Sequence, residues 1–293
     1  MKFFKNPRVL LITSMTIFGT IGLFVRNINL SSGEIALYRA ILAMLLIGSI
    51  LLITRQKINF KSLKKEIPFL LLSGVAMGIN WILLFEAYNY TTVSVATLSY
   101  YFAPVIVTVA CPILFKEKLT LKQIICFIAS TIGLILITNI SVSDGNNIVG
   151  ILYGLGAALF YATVIILNKF IKNVDGIRRT FLQFCSSLFV LVPYVLLTSG
   201  INIISLDGTS FIFLLIVGLV HTGITYCMYF SSLKELPGQK SAILSYVDPL
   251  IAVLVSVTIL QETMTIWQII GGILILGFTI FNEINFKKRT IKN

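Results

Sequence analysis

Long apolar runs alternate with short polar connections along the whole sequence. Most runs are about 20 residues long, the length that an α-helix needs to cross a hydrocarbon core of about 30 Å. Backbone polar groups in lipid need internal partners, so these runs are predicted to be helices, whereas barrel strands would show shorter alternating segments. We predict an all-α integral membrane protein with ten transmembrane helices, at residues 9–25, 35–53, 67–85, 92–115, 121–139, 148–168, 180–199, 209–231, 240–260 and 265–282.

The charges in the connections predict the orientation of these helices. Of the 23 lysines and arginines, 21 lie in the two tails or around the connections before spans three, five, seven and nine, all on one side of a ten-span bundle. Arg26 alone lies on the other side, and Arg39 lies inside the second span. Cytoplasmic connections are enriched in Lys and Arg, so we predict a multi-pass protein of the inner (cytoplasmic) cell membrane with both termini in the cytoplasm.

The composition narrows the function classes. Apolar residues make up 57% of the chain and charged residues only 12%, which leaves too little polar surface for a soluble domain. The basic residues that give the net charge of +12 lie between the apolar runs, which indicates contact with a membrane surface rather than with nucleic acid. The basic start is expected to lead into a retained first helix, not a cleaved signal peptide. The four cysteines lack metal-ligand spacing and are interpreted as packing residues, so we predict neither a metal nor a cofactor.

An internal repeat relates the two halves of the chain. A shift of 145 residues places Tyr101 on Tyr246 and Pro104 on Pro249. A shift of 146 places Tyr100 on Tyr246 instead, so the register is open at this point. The shift of 145 also superposes two capping boxes, in which paired side chains satisfy free amides at a helix start: Thr120-x-x-Gln123 and Thr265-x-x-Gln268.

Five spans per half is an odd number, so the second half is predicted to be inserted upside down. We predict a first five-helix repeat at residues 1–140, an inverted second repeat at 147–287 and a basic cytoplasmic tail at 288–293. Inverted repeats are common in secondary transporters, whose substrate site lies near the bilayer midplane between the repeats. Inverted duplications also occur in channels and in some membrane enzymes.

Away from the ends of the predicted spans lie one arginine, one histidine and one aspartate, at depths where charge is costly and often functional: Arg39, His221 and Asp248. At 1.5 Å per residue, His221 and Asp248 both lie about 18 Å from the outer ends of their antiparallel spans, near the midplane. Asp248 also shares a helical stripe of small residues with Ser245 and Ser256. We predict that Asp248 binds substrate or a proton, and the alternative is that it pairs with a neighbouring serine or histidine to fix helix packing. We interpret His221 either as its partner or as a packing residue.

Proline and glycine mark places where helices bend or approach each other. Pro104 and Pro249 are predicted to act as helix hinges, because proline removes a backbone hydrogen bond. Gly74-x-x-x-Gly78 predicts close packing of its helix against a neighbour.

Charged residues are also predicted at the outer rim of the bundle. Arg39 lies about 7 Å inside the outer end of its span and is predicted to extend its head to the interface. Arg26, Glu34 and Glu86 are predicted at the same rim, so we interpret these four residues as a gate or ion-pair cluster. Glu262 is expected to support the turn before the last span.

Aromatic side chains deep in the spans are predicted to line an amphipathic pocket, with Asn80 as a neutral polar group. Taken singly, each of them is better explained by packing in the core or against lipid, and only as a set do they favour a pocket. The predicted substrate-binding set is Asn80, Trp81, Tyr101, Tyr161, His221, Tyr226, Tyr246 and Asp248.

Short motifs recur in order along nearly the whole chain: Ile17–Gly22, Ala36–Arg39, Asn80–Trp81 with Phe85, Val220–Gly223, Ser245–Pro249 and Leu260–Glu262. Together they resemble the drug/metabolite transporter superfamily in its ten-helix, EamA-type branch. The resemblance implies two five-helix halves around a central cavity that opens alternately to each side. It also implies export of amino acids, related metabolites or toxic compounds.

We therefore predict a secondary active transporter that exports small metabolites, such as amino acids, amines or related compounds, by alternating access through a midplane cavity. The alternative is a lipid-moving or purely structural membrane protein. An intramembrane enzyme is less favoured, since the sequence has no HExxH motif, no GxSxG in a suitable context and no nucleotide-binding loop. The predicted partners are a small-molecule substrate and the lipid bilayer, without nucleic acid, and the oligomeric state is left open.

Overall fold

A computed structural model describes residues 6–55, 58, 63–115, 120–139, 145–168, 170–174, 176–233, 235–236 and 244–283. Within these residues all regular structure is helical. The α-helices are α1 (Pro7–Gly19), α2 (Ile21–Val25), α3 (Ser32–Ile53), α4 (Ile67–Tyr90), α5 (Val93–Tyr100), α6 (Ala103–Phe115), α7 (Leu121–Asn139), α8 (Gly145–Asn168), α9 (Gly176–Thr198), α10 (Gly208–Leu215), α11 (Thr225–Leu233), α12 (Val247–Thr258) and α13 (Ile266–Glu283). A π-helical segment, Ile216–Ile224, joins α10 to α11. The predicted tail at 288–293 lies outside the described residues.

Six helical stretches in the described part of the chain are long and apolar enough to cross a membrane: Pro7–Val25, Ser32–Ile53, Ile67–Tyr90, Asn147–Asn168, Gly176–Thr198 and Gly208–Ser232. Four shorter apolar helices lie at Val93–Val107, Leu121–Leu136, Val247–Thr258 and Ile266–Asn282. These ten stretches fall on the ten predicted apolar runs. The all-helical membrane fold is therefore confirmed, while the ten-span topology stays a prediction.

Large apolar side chains point outwards from these helices. Leu52, Phe189 and Leu197 are 80, 71 and 86% exposed. Soluble monomers rarely expose extended apolar patches, because contact of apolar surface with water is unfavourable. The outer surface is therefore suited to hydrocarbon, which fits helices that satisfy their own backbone groups.

Both predicted capping boxes are formed. The side-chain oxygens of Gln123 and Gln268 accept hydrogen bonds from the amides of Thr120 and Thr265, at 2.8 and 2.9 Å. In return, the threonine hydroxyls accept hydrogen bonds from the backbone N–H groups of the two glutamines, both at 3.3 Å. The starts of α7 and α13 are thus determined by residues three positions apart.

Three predicted runs are not single helices. The first run is interrupted at Thr20, the fourth at Tyr101, and α12 begins only after a turn at Tyr246. Pro104 and Pro249 lie in the first turn of the helices that follow the last two breaks, where a missing N–H costs nothing. The apolar runs do not reveal these breaks, because apolar side chains indicate an apolar environment and not a local loss of backbone hydrogen bonds. The hinges predicted at Pro104 and Pro249 lie beside two of them. The breaks at Tyr101 and Tyr246 align under a shift of 145 residues.

The eighth predicted run contains nine residues of π-helix, Ile216–Ile224. The hydroxyls of Thr222 and Thr225 donate to carbonyls five residues earlier, each at 2.7 Å. These bonds follow the wider i to i+5 spacing, and such insertions often occur at functional sites. The α-helical rise used to predict the depth of His221 therefore does not hold through this segment.

Helices from the two halves of the chain interleave. Helix α4 packs against α8 and α9, α3 against α9 and the π-helical segment, α1 against α11 and α12, α5 against α8 and α12, and α7 against α13. At the contact of α4 with α9, a Cβ on Gly74 would lie 2.5 Å from the carbonyl oxygen of Gln183. A Cβ on Gly78 would lie 2.8 Å from Val190. The close approach predicted from Gly74-x-x-x-Gly78 is thus confirmed.

Candidate functional site

Asp248 lies in the first turn of α12, opposite the break between α5 and α6. The hydroxyl of Tyr101 donates to Oδ2 of Asp248 at 2.5 Å. A hydrogen bond from a hydroxyl to a carboxylate is short and roughly twice as strong as one between neutral groups. The carboxylate is thus held by a side chain from the other half of the chain.

Tyrosine rings surround the bonded pair of Tyr101 and Asp248. Tyr100 stacks on Tyr161 with ring centroids 5.2 Å apart and meets Tyr101 edge-on at 5.6 Å. The rings of Tyr101 and Tyr246 lie 6.3 Å apart. Three predicted site tyrosines therefore come together with Asp248 in one group, the Asp248 cluster. Tyr100 was missed as a site residue, although the alternative repeat register had pointed to it.

Arg39 lies in α3 and is only 3% exposed. Its guanidinium carbon lies 4.4 Å from the ring centre of Trp81 and 5.1 Å from that of Phe85. Its Nε donates to the hydroxyl of Thr222 at 3.0 Å, and it forms no ion pair with a carboxylate among the described residues. The prediction that Arg39 reaches the rim was wrong, because two ring faces of α4 stabilise the cation inside the bundle.

Further rings extend this second group, the Arg39 cluster. Trp81 packs against Phe184, and Phe184 packs against Tyr226, both at 5.4 Å between ring centroids. Tyr226 also meets Phe18 at 5.1 Å. The predicted residues Trp81 and Tyr226 thus lie in this cluster. Phe184 and Phe18 were missed, because a phenylalanine within an apolar run carries no separate signal.

Three tyrosines connect the two clusters. Tyr88, Tyr100 and Tyr226 lie within electrostatic range of both the Arg39 guanidinium and the Asp248 carboxylate. The same three phenols therefore lie near both the cation and the carboxylate.

Asn80 is placed differently from the other predicted residues. It is 3% exposed, and its Nδ2 donates to the carbonyl of Ala157 at 2.7 Å. The amide group therefore joins α4 to α8, and its hydrogen-bonding capacity is partly used by the fold.

His221, the sole histidine, is 2% exposed and belongs to the π-helical segment. Its Nε2 is hydrogen-bonded to the hydroxyl of Thr20 at 2.9 Å, and no hydrogen bond links it to Asp248. A Cβ on Gly19, the residue before Thr20, would lie 2.5 Å from the backbone oxygen of Asp248. His221 and Asp248 therefore meet consecutive residues at the break of the first run.

An ionic network lies at one end of the bundle, which we call the Arg26 end. Arg26 forms an ion pair with Glu262. Its Nε and Nη2 donate to the carbonyls of Tyr88 and Thr91, both at 3.1 Å. The guanidinium thereby caps the C-terminal end of α4, where carbonyls lack helical partners.

Glu262 is the acceptor at the centre of this network. It accepts from the amide of Val93 at 2.9 Å and from the hydroxyl of Ser256, besides its ion pair with Arg26. The network therefore joins the end of α2, the start of α5 and the loop after α12. The bond with Ser256 agrees with the expectation that Glu262 supports its own turn. That expectation missed Arg26 and Val93, although a lone arginine on the side with few charges favours an acidic partner.

The predicted ion-pair cluster of Arg26, Glu34, Arg39 and Glu86 is not formed. Glu34 is 1% exposed and accepts from the amide of Asn202 at 2.8 Å, besides capping α3 with a neighbouring serine. Glu86 accepts from an asparagine one turn along α4 at 3.3 Å. Each of these carboxylates finds amide or hydroxyl donors close by, so neither pairs with an arginine.

Comparison with known proteins identifies the class. The sequence profile of the EamA-like transporter family matches this chain twice, over residues 8–139 and 148–282. An uncharacterized transporter of Bacillus subtilis, YxxF, is 30% identical over 270 residues, which cover 91% of this chain and 86% of that protein.

More distant proteins show the same similarity. Human solute carrier family 35 member G1 is 25% identical over an alignment that covers 91% of this chain and 76% of the human protein. Protein PecM of Dickeya dadantii is 25% identical, and that alignment covers 71% of each protein. A crystal structure with 13% identity superposes with a TM-score of 0.64 over 93% of this chain and 95% of the other, which shows a shared fold.

The apolar helices, the lipid-facing surface and these relatives define a multi-pass membrane transporter for small molecules, and not an enzyme. The chain belongs to the EamA-like transporter family, within the drug/metabolite transporter superfamily, as its motifs had predicted.

Proposed function

We propose that the protein is a secondary active exporter of small metabolites, such as amino acids, amines or related compounds, and that it works by alternating access. The observation that carries the proposal is the hydrogen bond from Tyr101 to Asp248, which joins two interrupted helices, one from each half. Secondary transporters build substrate sites from discontinuous helices at the interface of their repeats. Asp248 supplies a carboxylate there for a substrate amine or a coupling proton.

The helix contacts support two inverted five-helix repeats, at 1–140 and 147–287. When each span is exchanged for the one five places along, the contact of α4 with α8 becomes that of α11 with α1. The contact of α5 with α8 becomes that of α12 with α1, and the contact of α3 with the π-helical segment becomes that of α9 with α4. The pairs α3–α9, α5–α12 and α7–α13 map onto themselves, as a two-fold axis requires.

The ion pair and hydrogen bonds at the Arg26 end support one half of an alternating-access cycle. The Lys and Arg distribution favours cytoplasmic termini in the inner membrane, which puts the Arg26 end outside. The ion pair of Arg26 with Glu262 then acts as the outer gate, and it breaks when the site opens outwards. Pro104 and Pro249 lie next to helix breaks and serve as hinges in that motion.

Counterflow in proteoliposomes tests the transport proposal. Vesicles that contain the purified protein and a high internal concentration of the twenty standard amino acids and common biogenic amines should take up the same labelled solutes from outside. Protein-free vesicles should not, and the exposed-lysine variant Lys64→Gln should match wild type. If no solute exchanges while a fluorescent phospholipid crosses the bilayer, the lipid-moving alternative is correct instead.

Cysteine labelling in intact cells tests the orientation. In a cysteine-free background, Asp207→Cys should react with an impermeant maleimide from outside. Lys64→Cys should react only after permeabilisation, because it lies in a connection predicted to be cytoplasmic. Labelling of Lys64→Cys in intact cells would contradict the proposed topology.

A further inference from the structure

We propose that Arg39 is a carboxylate-binding subsite of the transport site, so that transported substrates carry a carboxylate in addition to any amine. The inference rests on the proposed function and deepens it by naming a chemical group that the substrate must have. The sequence had pointed to the rim for this residue, so the subsite follows from the tertiary structure alone.

The charge of Arg39 is buried and uncompensated. An arginine side chain has five N–H donors. One of them, on Nε, is used by Thr222, and the terminal nitrogens form no hydrogen bond with any described residue. At 3% exposure, a cation without a counter-ion is unfavourable for folding. A fold retains such a group where a ligand supplies the missing charge.

The surroundings of Arg39 hold the cation in place without neutralising it. The rings of Trp81 and Phe85 lie 4.4 and 5.1 Å from the guanidinium carbon. Ring faces attract a cation through their quadrupole but carry no net charge. The planar fork of terminal N–H groups thus stays available, and it matches the two oxygens of a carboxylate.

The opposite charge of the site lies across the shared tyrosines. Asp248 has the Tyr101 hydroxyl as its hydrogen-bond partner and no cation among the described residues. Tyr88, Tyr100 and Tyr226 are within electrostatic range of both Asp248 and Arg39. A substrate that lies against these phenols, with its amine towards Asp248 and its carboxylate towards Arg39, compensates both charges at once.

Three matched probes separate these contributions: L-phenylalanine, 2-phenylethylamine and 3-phenylpropanoate. They share a phenyl ring, which suits a site walled by tyrosines, and differ in having both charged groups, the amine alone or the carboxylate alone. Affinities are measured by ligand-induced thermal stabilisation of the full chain in nanodiscs. Wild type should bind phenylalanine at least about tenfold more tightly than either analogue. If none of the three binds, the inference is wrong.

The variant Arg39→Gln should lose about tenfold to a hundredfold in affinity for phenylalanine, which is the fold-change expected for one lost charged hydrogen-bond pair. Its affinity for 2-phenylethylamine should stay within about twofold, since that probe has no carboxylate. Arg39→Lys should retain an intermediate affinity, because an ammonium is a point charge rather than a fork. Lys64→Gln is the control and should not differ from wild type.

Several outcomes would overturn the subsite. Equal losses for phenylalanine and 2-phenylethylamine in Arg39→Gln would show that Arg39 only maintains the fold. Tighter binding of phenyl phosphate than of phenylalanine would show a phosphate site instead. If Arg39→Gln still exchanges solutes in counterflow and its selectivity among the three probes is unchanged, this inference alone is refuted. If the wild type exchanges nothing, the proposed function is refuted.

The melting temperature without ligand gives an independent test. Arg39→Met removes the uncompensated charge and keeps an unbranched apolar side chain, so this variant should melt at or above the wild-type temperature. A lower melting temperature in Arg39→Met, together with wild-type selectivity in Arg39→Lys, would show that Arg39 has a structural role only.

Discussion

Arg26 and Arg39 lie 13 residues apart in sequence, yet their surroundings are opposite. The side chain of Arg26 is 31% exposed, and it has a carboxylate and two carbonyls as partners. Arg39 is 3% exposed, and it has one hydroxyl and two ring faces. If stability alone placed these partners, the more buried cation would have the counter-ion. The compensated arginine therefore maintains the structure of the Arg26 end, and the uncompensated one marks the place for a ligand.

The acidic residues show the same contrast. Glu262 accepts from Arg26, from the amide of Val93 and from the hydroxyl of Ser256. Asp248 accepts from Tyr101 alone among the described residues. The bundle thus has saturated charges at one end and unsaturated charges at its centre, which is the distribution that a gate and a binding site require.

The largest effect is expected at Asp248. Asp248→Asn should lower gradient-driven flux in vesicles by about a hundredfold or more, equivalent to about 2.7 kcal/mol, because the carboxylate that binds an amine or a proton is lost. Flux should be measured at several values between about pH 5.5 and 8, because this interval includes the range in which a histidine titrates. Asp207→Asn, at an exposed helix cap where Asn serves as well as Asp, is the matched control. Wild-type flux in Asp248→Asn at equal protein level would show that the centre is not the site.

The next effect is expected where the first run packs on the site. A Cβ on Gly19 would lie 2.5 Å from the backbone oxygen of Asp248, so Gly19→Ala must displace the start of α12. Overpacking of this kind costs about 1–3 kcal/mol and should lower both flux and melting temperature. Gly277→Ala has no atom within 4 Å of the new methyl group and should leave both quantities unchanged or slightly improved. Equal behaviour of the two variants would contradict the described contact.

A smaller effect is expected at the Arg26 end. A double-mutant cycle with Arg26→Gln and Glu262→Gln should give a coupling free energy of about 1 kcal/mol, since the pair is partly exposed and screened. Single variants should also open the outer gate more often and increase labelling of a cysteine placed in the site. The swapped pair, Arg26→Glu with Glu262→Arg, should restore part of the coupling. If the stability effects of the two single variants were strictly additive, Arg26 would have no energetic coupling to Glu262, and the contrast with Arg39 would be lost.

The smallest effect is expected at His221. Its observed hydrogen bond goes to Thr20, not to Asp248, and a glutamine amide can make the same bond. His221→Gln should therefore reduce flux by no more than about threefold and leave its pH profile unchanged. A pH profile that flattens in this variant would instead assign the histidine a part in proton transfer.

Local features of the fold were predictable from the sequence. Thr265 and Gln268 form their capping box because both partners lie within one helical turn. Gly74 and Gly78 allow close packing because residues four apart share one face of a helix. The breaks at Tyr101 and Tyr246 were indicated only by the hinges predicted at Pro104 and Pro249, since the apolar runs continue through both positions.

The candidate site was predictable only in part. Asp248 and Tyr101 were both proposed from their depth and their place in the repeat, and the structure brings them into contact. The partner of Arg26 was missed, because Glu262 is 236 residues away in sequence. The depth of Arg39 along its helix led to the wrong expectation of an interfacial residue, because depth does not reveal which rings a neighbouring helix presents.

The sequence by itself determined the helical character, the membrane environment, the family and the identity of the charged residues, because each depends on composition, local spacing or short motifs. Only the tertiary structure decided which charge is paired and which is left without a counter-ion. A hydrogen bond or ion pair forms across a few ångströms between helices, whereas the sequence pattern of one helix records only its own faces. For that reason Arg26 and Arg39 look alike in the sequence and differ in the folded protein.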